Sequence, residues 1–125
     1  MKKLFIAMLM LAAQMAFAAT DLTPQNYEAE LTKSLDAGTP VVIEFYADWC
    51  GPCRMLTPVL EQVAKDMQGK VLVGKLDIDT NQRVAASYQV TSVPTMILFK
   101  DGKEVGRLVG LKDTDGVKKF INSAI

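Results

Sequence analysis

Apolar residues in this chain recur with two different periods. The stretch Val41–Tyr46 is an almost unbroken apolar run, the pattern of a parallel strand covered on both faces, and residues 71–78 read the same way. Between them, Leu56, Val59, Leu60, Val63, Ala64 and Met67 form a helical stripe that predicts a helix over residues 50–67. Pro58 falls inside that stripe and is expected to kink it. An earlier helix is predicted from Thr23 as N-cap and Pro24 at the first helical position. Tyr27, Leu31 and Leu35 repeat at helical spacing, and Asp36-Ala37-Gly38 ends the segment. A short helix is expected over residues 82–88. Strands at residues 95–99 and 104–109 flank Asp101-Gly102, a two-residue hairpin signal. A last helix from Asp113 puts Val117, Phe120, Ile121 and Ile125 on one face. This order predicts an α/β sandwich built on a mixed sheet, with no repeat or linker.

A chain of 125 residues, half of them hydrophobic, makes one domain with a core large enough to fold without a disulfide framework. Its 14 basic and 14 acidic residues balance. No basic block or aromatic-interleaved basic patch is present, so nucleic acid is not an expected partner.

Residues 1–18 depart from the rest. Met1-Lys2-Lys3 is a short basic start, residues 4–13 are unbroken apolar, and Ala16-Phe17-Ala18 fits a small-x-small cleavage site. These are the three parts of a secretory signal peptide. The apolar run is shorter than the roughly 18–20 residues a membrane span needs, and Gln14 interrupts its extension. Cleavage after Ala18 is therefore expected, with an uncleaved membrane tether as the alternative. Loss of Lys2 and Lys3 leaves 12 basic against 14 acidic residues in 19–125, a mildly acidic product.

Cys50-Gly51-Pro52-Cys53 holds the only cysteines. As a structural staple it closes a four-residue loop, which in the chain-entropy treatment gives only about 2 kcal/mol. A zinc site wants four ligands, and the chain has no histidine, so only a shared metal or carboxylates could complete one. Haem attachment requires His after the second Cys, where this chain has Arg54. Reversible thiol–disulfide chemistry fits best. Cys50 lies just before a helix, where free backbone N–H groups and the helix dipole favour thiolate, so it is expected to attack. Cys53, one turn in and more buried, is expected to resolve.

Glu44 interrupts the apolar run of its strand. A carboxylate there is expensive unless partnered, protonated or functional. With a raised pKa it could take the proton from Cys53; at a sheet edge it would simply sit in water. Lys75 holds a comparable place in the next strand and is a candidate to tune Glu44, or else a solvated lysine. Val93-Pro94-Thr95 opens the hairpin, where proline is compatible with an edge strand, a cis bond or an ordinary turn. Trp49, beside Cys50, is the aromatic placed to touch substrate.

Taken together, these residues resemble the thioredoxin family across the domain at 19–125. The resemblance rests on Phe45-Tyr46-Ala47-Asp48-Trp49-Cys50-Gly51-Pro52-Cys53-Arg54, Pro58, Lys75-Leu76-Asp77-Ile78-Asp79, Val93-Pro94-Thr95, and Phe99-Lys100-Asp101-Gly102 with Gly110. It implies a thioredoxin fold, a central mixed sheet flanked by helices, with a cis peptide at Pro94 and a redox-active Cys50–Cys53 disulfide. It also implies a substrate groove made by Trp49, Gly51, Pro52, Val93, Pro94 and Gly110. Two departures stand out. Glu44 occupies a position where the family usually has Asp, and only residues 19–22 are available for the family's first strand, which is expected to be short or absent.

The Gly-Pro dipeptide is that of the family's reducing members, and the helical insertion usual in its oxidising relatives is missing. The expected activity is an exported protein-disulfide reductase in the bacterial periplasm, acting as a monomer on disulfide-containing exported proteins. No flavin or nicotinamide motif is present and no cofactor is expected, so electrons would come from a membrane-embedded thiol donor. The alternatives are a net oxidase or isomerase in the same compartment, and a thioredoxin-fold binding module whose cysteines are incidental.

Overall fold

The computed structural model describes residues 38–125 together with a strand at Thr20–Leu22. The predicted signal segment and first helix lie outside the described residues. Five strands line up in the order β1 (Thr20–Leu22), β3 (Leu72–Asp77), β2 (Val41–Tyr46), β4 (Thr95–Lys100) and β5 (Lys103–Val109). The first three run parallel, whereas β4 and β5 join antiparallel, so the sheet is mixed as expected. The strand with little room forms with three residues, which pair with Gly74, Lys75 and Leu76 of β3.

Alternation along β2 divides the core. Val42 points to the face covered by α1 (Gly51–Asp66) and α3 (Thr114–Ala124), where it joins Leu56, Leu60, Val63, Val117 and Ile121. Ile43 and Phe45 point the other way, to Leu76, Ile97, Phe99 and Ala85 of α2 (Gln82–Ser87). Residues spaced at i, i+3 and i+4 in α1 are the ones buried, as the stripe predicts. Helix α1 continues on both sides of Pro58, which lies on its exposed side. Asp113 caps α3 by accepting the Gly116 N–H at 2.7 Å, and Lys118 bridges α3 to Asp66 of α1 at 2.6 Å.

The β4–β5 hairpin turns at Asp101 and Gly102, with φ of +52° and +77°. Two successive left-handed residues give a turn whose twist matches the strands it joins, which is why Asp-Gly signals it. Pro94 immediately precedes β4, but β4 lies between β2 and β5, so the edge-strand reading of this proline does not hold. Proline is accommodated because it stands outside the ladder, at the strand's entry.

Candidate active site

Three chain segments meet where β2 ends and α1 begins. Ala47, Cys50 and Cys53 form a small buried cluster, with Tyr46, Ile78 and Val93 packed against it. Cys50 is the N-cap of α1 and Cys53 lies within its first turn, their Cα atoms 5.3 Å apart and their sulfurs joined in a disulfide. Proline in the first turn lacks an N–H that the helix would leave unpaired anyway. The Cys50 Sγ accepts the Cys53 N–H at 3.2 Å. That N–H and the positive end of the helix both face the Cys50 sulfur, an environment that favours a thiolate over a thiol. No acidic side chain in the first turn opposes this field. Both cysteines are buried, with Cys50 at 5 % exposure and Cys53 at 2 %.

Glu44 is fully buried, and alternation along β2 puts it on the same face as Val42, beneath α1. Neither of its carboxyl oxygens accepts a hydrogen bond from the described residues. Burial pushes its pKa from 4.5 up to about 7, against a smaller pull downward from the charge of Lys75. The edge-strand reading of Glu44 therefore fails: β2 lies between β3 and β4. Lys75 is opposite Glu44 in the β2–β3 register, yet its Nζ lies over the Tyr46 ring, 4.6 Å from the centroid. It acts on Glu44 through space, and its contact partner is the aromatic face.

Val93-Pro94 is a cis peptide. Pro94 is buried, and its carbonyl accepts the Gly110 N–H at 2.9 Å, which brings these two expected groove residues together. Gly110 has φ +94°, a conformation that any side chain would strain. Around the cluster, Gly51 is half-buried and Pro52 exposed, while Trp49 is 68 % exposed. One contact was not anticipated. The Trp49 Nε1–H donates to Asp79 Oδ2 at 3.0 Å. Its signal in the sequence was indirect. Parallel β2 and β3, with Tyr46 opposite Asp77, deliver both following loops to the same carboxyl end of the sheet.

A family model for thioredoxin matches residues 18–123. The chain belongs to the thioredoxin family. It is 46 % identical over 101 residues to a thioredoxin of Chlamydia pneumoniae, covering 81 % of this chain and 93 % of that one. With a thioredoxin of Rickettsia bellii it shares 40 % identity over 107 residues, 86 % of this chain and 99 % of the other. A solved mutant thioredoxin from Halobacterium salinarum superposes with a TM-score of 0.75 at 41 % identity, covering 87 % of this chain and 92 % of that structure. With both cysteines in place at the head of α1, this member of the family is a dithiol–disulfide oxidoreductase.

Proposed function

We propose that this protein is exported and works as a reductant of disulfides in other exported proteins. The observation that carries the chemistry is the Cys50–Cys53 pair at the start of α1, with the Cys50 sulfur receiving a backbone N–H. Cys50 thiolate attacks one sulfur of the substrate disulfide. That S–S bond breaks, one substrate thiolate leaves, and a mixed disulfide remains on Cys50. Cys53 then passes its proton to the Glu44 carboxylate and attacks the Cys50 sulfur, which releases the second substrate thiolate. The substrate gains two electrons and the protein is left with the Cys50–Cys53 disulfide. Trp49, Gly51, Pro52, Val93, Pro94 and Gly110 form the groove in which the substrate segment docks. Lys75 tunes Glu44 by its charge alone.

Export is supported by the basic, apolar and small-x-small pattern of residues 1–18. The reducing direction is supported by Gly51-Pro52. Return of the pair to the dithiol falls to a membrane-embedded thiol donor, because the compartment beyond the membrane is oxidising. Among the described residues no helix is long and apolar enough to cross a membrane.

Expression of a Cys53→Ser variant from its own start codon tests this reading, because the variant cannot resolve its mixed disulfides. The expected catch is exported proteins together with one membrane thiol protein, on a mature chain beginning at Ala19. A chain that keeps Met1 and traps only cytoplasmic proteins would overturn export. A reduction potential in the range of strong disulfide oxidants, measured against glutathione, would overturn the reducing direction.

A further inference from the structure

Trp49 is the only tryptophan in the chain, it precedes the attacking cysteine, and most of its surface is in water. A ring so exposed has little packing to fix its side-chain torsions, and left free it would sample several rotamers. The hydrogen bond from Nε1 to Asp79 Oδ2 supplies the missing restraint across 30 positions of sequence. Asp79 is held in its turn. Its own N–H donates to Asp77 Oδ1 at 2.9 Å, and its carbonyl accepts from Gln82 Nε2 at 3.4 Å. Asp77 belongs to β3 and Gln82 begins α2, so the acceptor is anchored to two regular elements.

We propose that Asp79 is a positioning residue for substrate recognition. It holds the Trp49 indole at the rim of the disulfide in the orientation against which a substrate polypeptide packs. Asp79 itself touches neither the reacting sulfurs nor the substrate. The inference rests on reading Trp49 as part of the substrate groove. Pre-ordering this ring spares the substrate the entropy of immobilising it, so the benefit falls on binding of a chain and not on sulfur exchange.

The test is insulin reduction, recycled by dithiothreitol, alongside reduction of hydroxyethyl disulfide, which has no peptide to dock. Asp79→Ala is expected to raise KM for insulin by about three- to ten-fold, the worth of one hydrogen bond. The change should be confined to KM, absent with hydroxyethyl disulfide, and accompanied by lower fluorescence anisotropy of Trp49. Asp79→Asn, which keeps an oxygen acceptor, should restore KM. Trp49→Phe removes the same bond without touching the Asp79 loop, and adding Asp79→Ala to it should change nothing further. The positioning role is overturned by an equal loss on both disulfides, by additive effects of Asp79→Ala and Trp49→Phe, or by an unchanged KM in Asp79→Ala. Trp49→Ala separates the two levels. If it raises KM while Asp79→Ala does not, only the positioning role fails; if it leaves KM unchanged, the groove reading fails with it.

Discussion

Glu44 and Phe45 are adjacent on β2, both are fully buried, and they face opposite sides of the same sheet. On the Phe45 side every neighbour in the cluster is apolar, and the Tyr88 ring meets Phe45 and Phe99 edge-on at 6.1 and 5.2 Å. This side needs only packing to be stable. On the Glu44 side a carboxyl group lies among apolar residues with neither oxygen hydrogen-bonded by the described residues. Burial of that kind opposes the charged form and is hard to explain by stability. It occurs on the face that carries the disulfide, whereas among the described residues the buried polar atom left without a hydrogen bond on the α2 side is the uncharged Asn81 Oδ1, at the N-cap of that helix. The comparison separates a side of the sheet built for cohesion from a side that gives up cohesion for a group able to exchange a proton near neutrality.

Phe45→Ala should have the largest effect on stability, a loss of about 3–5 kcal/mol in denaturant unfolding. The pH dependence of stability should be unchanged. If it flattens, the two faces are not independent.

Glu44→Gln tests the other side. The folded-state pKa of Glu44 lies above its ordinary value of 4.5, so between 4.5 and about 7 the folded protein binds more protons than the unfolded chain. Stability from this group is complete below 4.5 and is lost as pH rises through about 7. The loss amounts to roughly 3 kcal/mol. Unfolding of the oxidised protein at a series of pH values should show this decline, and Glu44→Gln should remove it. A decline that persists in the variant would assign it to another group.

Lys75→Met should have the smallest effect. Removing the charge removes the one influence that lowers the Glu44 pKa, so its titration should move above about 7 without a change of fold. The shift can be followed by the carboxyl carbon resonance, and a downward movement would refute the through-space role.

Local order was legible in the sequence wherever the determinant is local. The α1 stripe, the apolar run of β2, the helix start at Asp113 and the Asp101-Gly102 turn each depend on residues within a few positions of one another. The sidedness of Glu44 was only half legible. Period-two alternation says that Glu44 opposes Phe45, but which of them meets the cysteine-bearing helix depends on how α1 crosses the sheet. The pairing of Lys75 was legible as register and not as contact, because a long side chain opposite Glu44 can reach the Tyr46 ring instead. Asp79 was the residue missed. Its bond to Trp49 follows only once β2 and β3 are known to be parallel neighbours.

Resolution of a preformed mixed disulfide on Cys50 is the step to which the proposed proton transfer from Cys53 to Glu44 belongs. Its rate, followed across pH for the parent protein and for Glu44→Gln, tests the account most directly. The parent should accelerate through an inflection at about 7, where Glu44 becomes a carboxylate able to accept the Cys53 proton. Glu44→Gln should be slower and lack that inflection. The same inflection in both proteins would show that Glu44 does not receive the proton.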